Sequence, residues 1–307
     1  MSITGLLQAA AALAVVFSLL SALRLPLHFI ELFSHFRLQY FVVTALLLLV
    51  FALQQRYAYA GAMLLTVLLN GFYLIEWYLP PKPDAAGSEE LKLLHANVLS
   101  SNSQHQRLVD LIAAEDPDMI FLQEITDDWL LGLEPLVQDY PFTYASARSG
   151  NFGIAVYSRI PFDSVSHVDS PPFGHPTITA TARIGERDVT LISSHPTIPL
   201  GKQLYTARNQ QMGSLLGLLQ AADRPVVLLG DLNATVWDMH LRKLTHSAGL
   251  ANARQGFGVL PTWPTFMPIA MIPIDHVLVS EGISVTSMKT AKSIGSDHLP
   301  LIVTLSL

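Results

Sequence analysis

The chain has 307 residues, no cysteine and a formal net charge of -6. Half of it is hydrophobic and only 14% is charged, with a mean hydropathy of +0.39. That excludes an ordinary water-soluble protein, and the lack of cysteine excludes disulfides and thiolate metal sites.

The apolar excess lies at the N-terminus. The first eighty residues hold only Arg24, Arg37 and Arg56 of the 18 basic residues, and Glu31 and Glu76 of the 24 acidic ones. Three runs, LLQAAAALAVVFSLLSAL at 6–23, LQYFVVTALLLLVFAL at 38–53 and AYAGAMLLTVLLNGFYLIEWYL at 58–79, approach the ~20 residues that cross a bilayer. Three such runs in so short a stretch predict a membrane anchor of three transmembrane helices over 1–79. No basic segment precedes the first run and no small-residue cleavage site closely follows it, so a cleaved signal peptide is not expected. Tyr57, Tyr59, Trp77 and Tyr78 stand near the ends of the third run, as an aromatic belt does. The link from Arg24 to Arg37 mixes apolar residues with His28, Glu31 and His35 and is expected to lie flat at the interface.

Basic residues around the spans nearly balance: Arg56 on one side, Arg24 and Arg37 on the other, and Lys82 after the third. Read literally, this count favours a cytoplasmic C-terminal part. The tight link bearing Arg56, however, suits a cytoplasmic turn, and three spans then carry the C-terminal part away from the cytoplasm. That orientation, in a plasma or inner membrane, is the one expected here. Residues 80–90, PPKPDAAGSEE, read as a Pro-rich linker.

Residues 91–307 form a mildly acidic domain with room for a sizeable core. Apolar runs predict strands at 91–97, 118–124, 142–145, 152–158, 177–184, 188–195, 226–233, 274–280, 285–289 and 301–305. Helical patterns cover 108–114, 127–137, 204–221 and 237–248, and 256–273 is a Gly/Pro/aromatic loop. Many strands with few helices between them predict an α+β fold of two packed sheets with helices outside.

Polar residues gather at the strand ends. In VVLLGDLN, 226–233, alternation points Asp231 and Asn233 to one side; the plainer reading is an Asx turn. Asn97, Glu124, His195, Asp275, Asp297 and His298 occupy comparable places. So many carboxylates, amides and imidazoles are the equipment of metal-assisted phosphate ester hydrolysis. Glu124 suits a hard cation such as Mg²⁺ that keeps waters. Asp231 suits orienting or deprotonating a water, and a His beside a carboxylate suits an oxyanion.

The segments HAN at 95–97, LQE at 122–124, SSH at 193–195, GDLN at 230–233, IDHVLVS at 274–280 and GSDHLP at 295–300 resemble, in order, those of the endonuclease/exonuclease/phosphatase superfamily, with its deoxyribonuclease-I-like fold. The resemblance covers nearly all of 91–307. It implies a four-layer α/β/β/α sandwich with two packed mixed sheets and a metal-dependent phosphoric ester hydrolase. It implies that Glu124, Asn97 and Asp297 lie at the metal, Mg²⁺ with Mn²⁺ as the alternative. It further implies that Asp231 and Asn233 handle water and phosphate, that His298 binds phosphate and pairs with Asp275, and that His195 faces phosphate.

Some positions depart from the pattern. Leu99 stands where some nucleases of the family carry a further acidic residue, which weakens a two-metal reading. Tyr157 reads as a core residue, His276 as structural, and Arg208 as a surface charge before a phosphate ligand. Trp263 either walls the pocket or packs its loop. The domain is net acidic and has no basic run beyond Arg242-Lys243, unlike nonspecific duplex binders. A lipid headgroup or small phosphodiester is therefore expected as substrate, with the lipid bilayer as partner. A membrane-tethered endonuclease or exonuclease acting on DNA or RNA is the alternative. A noncatalytic module is disfavoured because every expected position is present.

Overall fold

The computed structural model describes residues 2–23, 27–80, 87, 89–223 and 225–307. Arg24, Lys82 and most of the Pro-rich linker lie outside the described residues.

Helices α1 (Ile3–Ala22), α2 (His28–Ser34), α3 (Arg37–Leu53) and α4 (Tyr57–Ile75) precede the first strand. Helices α1 and α4 are each long and apolar enough to cross a membrane. Helices α2 and α3 reach that measure only together, with a 60° bend between them. The packing is inverted relative to a water-soluble bundle. Ala11, Ala14, Ser18, Thr44, Thr66 and Asn70 are buried, while Leu13, Leu19, Leu46, Leu49, Leu65 and Leu68 face outward. Small residues let the helices approach, and Asn70 Nδ2 donates to Ser18 Oγ at 2.9 Å to tie α4 to α1. An outward face of leucine has no favourable place in water.

The third apolar run was expected to be helical to residue 79 with Trp77 in an aromatic belt. The helix ends at Ile75 instead, and Trp77 is buried against Val236, Trp237 and Val259. Its carbonyl accepts from Gly256 and Gly258. Tyr57 and Tyr78 do remain exposed.

The larger part follows as β1 (Glu90–Asn97), α5 (His105–Glu115), β2 (Met119–Gln123), α6 (Asp127–Gly132), β3 (Phe142–Ser146), β4 (Ile154–Ser158), β5 (Phe162–Ser170), β6 (His175–Ile184), β7 (Arg187–Ser194), α7 (Gly201–Ala221), β8 (Val226–Asp231), α8 (Met239–Ala248), β9 (Leu250–Asn252), β10 (Asp275–Ser280), β11 (Ser284–Thr290) and β12 (Leu301–Ser306). They form two six-stranded sheets, ordered β11-β12-β1-β2-β4-β3 and β5-β6-β7-β8-β10-β9. Each is mixed, with parallel pairs β1/β2 and β7/β8 among antiparallel ones.

Strand alternation builds four layers. Leu91, Leu93 and Phe121 meet Leu191, Val227 and Leu229 between the sheets. The opposite faces bury Leu94, Ile120 and Leu122 against Leu108, Ile112 and Trp129 of α5 and α6, and Ile192, Val226 and Leu228 against Leu215, Leu219 and Leu241 of α7 and α8. The α+β sandwich read from the sequence is the observed fold.

Three local features differ from expectation. Strand β5 was not anticipated: FDSVSHVDS is mostly polar because it is an edge strand, bulged between Phe162 and Ser164. Strand β9 is only three residues long. The helix expected over 127–137 breaks after Gly132 into a 3₁₀ turn, Glu134–Gln138, which carries Pro135 in its first turn.

Candidate active site

The site lies at the C-terminal ends of the parallel pairs. Parallel pairing of β1 with β2 sets Asn97 opposite Gln123, and β7 beside β8 brings His195 to Asp231. Antiparallel pairing sets Asp275 of β10 opposite Asp231. Gln123 joins the two sheets beneath the site. Its Nε2 donates to the Ser194 carbonyl at 2.8 Å, and its Oε1 accepts from the Asp231 amide at 2.8 Å. Gly230 makes room for this crossing. A Cβ there would meet the Ser194 carbonyl oxygen at 2.1 Å and Gln123 Nε2 at 2.6 Å, with φ at +150°.

Glu124 and Asn233 both sit in the left-handed region, with φ of 64° and 49°. Such backbone is costly for residues other than glycine, less so for Asn, and concentrates where side chains must be aimed. Glu124 Oε1 accepts from Asn97 Nδ2 at 3.0 Å, and Oε2 from the Ser100 amide at 3.0 Å. Asn233 was expected to share a side with Asp231 by strand alternation. The strand instead ends at Asp231, whose Oδ1 accepts from the Asn233 amide at 2.9 Å. The Asx turn and the site are thus one structure. Asn233 Nδ2 is held by the Pro196 carbonyl at 2.9 Å.

Asp231 Oδ2 is 3.4 Å from His195 Nε2, 3.6 Å from His298 Nε2 and 3.4 Å from Asn97 Nδ2. His298 Nδ1 is 2.8 Å from Asp275 Oδ2, whose other oxygen is 3.0 Å from His95 Nε2. The loop carrying Asp297 and His298 is pinned by Ser296 Oγ donating to the Asn97 carbonyl at 2.8 Å.

Burial presses the His298 imidazole toward its neutral form, but the carboxylates of Asp275, Asp231 and Asp297 outweigh it and lift its pKa to about 9. Burial acts on His195 in the same sense and is again overcome, here by Asp231 and Glu124, so its pKa rises. Burial alone would raise Asp275, yet His298 and His95 hold it well below the usual carboxylate range. His175 is driven down to about 4 by burial and by His195.

A cavity of about 360 Å³ opens over this group. Glu124, His195, Asp231, Asn233, Asp297 and His298 line it, while Asn97 and Asp275 bond to lining residues from behind. All eight residues singled out in the sequence converge. Trp263 walls the cavity, and its Nε1 donates to Asp297 Oδ2 at 2.9 Å. Leu99 also lines it. Tyr157 is buried in the core beneath α5 and α6, where burial lifts its pKa to about 12. His276 faces away, toward the Ala234 carbonyl at 2.7 Å.

Arg208 is neither a surface charge nor a cavity residue. It is fully buried, paired with Glu31 of α2 and with Asp238 Oδ2 at 2.9 Å. The charged face of a long helix looks solvated only until α2 is laid against it.

Sequence reasoning gave no role to His95 or Gln123, although both lie inside quoted motifs. It also missed Phe152, whose ring stacks on His175 at 3.4 Å and lies 5.2 Å from His195. Leu32, His35 and Phe36, from α2 and the turn after it, line the cavity too, and no local signal near the motifs pointed to them.

A divalent cation fits Glu124 and Asp297. Asp297 Oδ1 is buried without a hydrogen-bond partner, and both residues offer carboxylate oxygen to the same cavity. Such a donor set suits a hard ion. Asp231, Asp275 and His298 also lie within 4.8 Å of one another, but the Asp275–His298 hydrogen bond accounts for that cluster.

The model of the Endonuclease/Exonuclease/phosphatase family matches residues 94–298. The chain belongs to this family. It is accordingly an enzyme, a metal-dependent phosphoric ester hydrolase. Among curated relatives of this family member, the inositol phosphosphingolipids phospholipase C of Saccharomyces cerevisiae is 27% identical over 163 residues, 45% of this chain but only 34% of the yeast protein. A UPF0294 protein of Vibrio parahaemolyticus is 26% identical over 230 residues, 71% of this chain and 78% of that one. Among solved structures, a humanized D. rerio TDP2 superposes with a TM-score of 0.63 at 18% identity, covering 72% of this chain and all of that one. The 3' phosphatase NExo from Neisseria, bound to a product DNA hairpin, does so with 0.59 at 20% identity, covering 69% and 98%. At such identities the superpositions establish the shared fold.

Proposed function

We propose that this family member is a membrane-anchored, Mg²⁺-dependent phosphoesterase of lipid headgroups or small phosphodiesters. The anchor is residues 1–79 with three spans, the linker 80–90 and the catalytic domain 91–307. The observation that carries the reading is that one cavity has a floor of carboxylates and imidazoles and a wall from the anchor itself.

In this reading Glu124 and Asp297, with Asn97 beside Glu124, hold the metal. When bound, Mg²⁺ polarises a phosphoryl oxygen. Asp231 orients the attacking water and takes its proton as the new P–O bond forms and the ester P–O bond breaks. Protonated His195 and His298 donate to the phosphoryl oxygens, where negative charge grows. Asp275 keeps His298 protonated and aimed, and the turn at Asn233 fixes Asp231.

Helix α2, the first link, docks on the catalytic domain through Glu31 and Arg208. That supports three spans with the first link and the domain on one face and Arg56 on the other. The domain then faces away from the cytoplasm if the Arg56 turn is cytoplasmic.

The full chain, purified in detergent, is to be assayed on bis-p-nitrophenyl phosphate, phosphatidylglycerol vesicles and plasmid DNA, with and without Mg²⁺. Mg²⁺-dependent release from the diester or the vesicles, exceeding that from DNA, is expected. Preferential DNA cleavage would replace this reading with the tethered nuclease, which the DNA-bound TDP2 and NExo structures favour by analogy of fold and the acidic domain disfavours.

A further inference from the structure

We propose that α2 and the turn after it form the subsite for the hydrocarbon part of an amphiphilic phosphoester. This rests on the phosphoesterase reading and adds what fixes its substrate class. Leu32 and Phe36, from the anchor, line the same cavity as Glu124, Asp231 and His298. Facing them from the catalytic domain are Ile198, Leu200 and Ile272. The cavity is therefore divided. Its base presents ionised groups to a phosphate, and its upper wall presents aliphatic and aromatic carbon, which gains nothing from a small polar alcohol.

This wall is built into the fold. Glu31 pairs with Arg208, and both are buried. His35 Nδ1 is 3.0 Å from Thr235 Oγ1 in the loop after β8. Gln39 Nε2, in the first turn of α3, donates to the Met271 carbonyl at 2.8 Å. Three polar contacts on successive turns set the height of Leu32 and Phe36 over the phosphate end.

Beyond the cavity, apolar side chains continue outward on both sides. Phe29 of α2 is 52% exposed, and Leu200, a lining residue of the cavity, is itself 59% exposed. Phe266 at 71% and Ile269 at 85% project from the loop between Trp263 and Ile272. In water these groups lack cover; against the bilayer entered by α1 and α3 they have it. The occupant that matches a polar base, an apolar wall and an apolar rim is a phosphoester whose alcohol carries alkyl chains.

The test uses the full chain in one amphipol preparation and methyl, butyl and octyl p-nitrophenyl phosphate with Mg²⁺. Wild-type kcat/KM is expected to rise about 10-fold or more from the methyl to the octyl ester, as apolar burial grows with each methylene. Leu32→Ser and Phe36→Ser should each cut the octyl-to-methyl ratio about 5-fold, while Leu32→Met and Phe36→Leu keep it within about 2-fold. Leu131→Ser, at an exposed position of α6 that does not line the cavity, should leave the ratio unchanged. A flat chain-length profile with intact methyl-ester hydrolysis overturns the subsite and spares the phosphoesterase reading. Absence of hydrolysis of any ester by the wild type overturns both. An unchanged ratio in both serine variants, or an equal fall in Leu131→Ser, removes α2 from substrate binding.

Discussion

Asp275 sits between two imidazoles, 2.8 Å from His298 Nδ1 through one oxygen and 3.0 Å from His95 Nε2 through the other. One carboxylate of the second sheet thus fixes two histidines carried by the first, His95 on β1 and His298 in the loop before β12, and only His298 reaches the cavity. Of the three carboxylate charges that favour the protonated form of His298, that of Asp275 acts most strongly, ahead of Asp231 and Asp297.

Asp275→Asn therefore tests charge with little change of shape. His298 is raised to about 9 in the native site, so its protonated form persists below that pH and is lost as pH rises through it. In the variant the loss should begin at lower pH, and kcat on bis-p-nitrophenyl phosphate should fall about 100-fold or more. A pH–rate profile superimposable on wild type would remove His298 from the reaction.

Glu124→Gln should abolish most metal-dependent turnover while leaving the fold nearly intact. Its amide keeps one acceptor but loses the charge, and one of the bonds from Asn97 or Ser100 goes unmade, costing about 1 kcal/mol. Turnover against Mg²⁺ concentration, paired with thermal melts, reads both effects. Near-normal turnover at low Mg²⁺ would mean that Glu124 is not a ligand.

Arg208→Met leaves the buried carboxylates of Glu31 and Asp238 without their cation. Loss of one member of such a group costs about 3–5 kcal/mol, read as a lower melting temperature by tryptophan fluorescence in detergent. Glu31→Gln retains a hydrogen-bonding group and should cost less. Equal melting of Arg208→Met and wild type would show that α2 is not held by this contact.

His276 is completely buried between Asn252 Nδ2 and the Ala234 carbonyl. Burial, helped by Arg254, pushes its pKa down to about 3. The unfolded chain binds a proton near the usual 6.5 while the folded one does not. Stability is thus fully present above that value and is lost progressively as pH falls from there toward about 3. His276→Gln should lose less melting temperature than wild type between neutral pH and pH of about 5. A parallel decline in both proteins would assign the acid sensitivity elsewhere.

The sandwich was legible because its core strands are short apolar runs ending in Gly, Asn or acidic residues, as in VVLLGDLN and DMIFLQE. Edge strand β5 was not, since FDSVSHVDS buries too little carbon to show a period. The polar floor was legible for the same reason that it works: Asn97, Glu124, Asp231 and Asp275 interrupt apolar strands where a core has no use for them. The apolar wall was hidden. Leu32 and Phe36 look like any other residue of an interfacial helix, and only tertiary docking of α2 brings them to the cavity, whose other lining residues begin in the chain at Leu99. Arg208 was misread on the same ground, because its partner Glu31 is 177 residues distant.

That separation also sets an order of assembly. A ribosome delivers Glu31 long before Arg208, and chains fold from the N-terminus as they emerge. The acidic acceptor is therefore already made when the strands of the second sheet emerge. The later-made half of the enzyme closes onto a template that the N-terminal helices have already laid down.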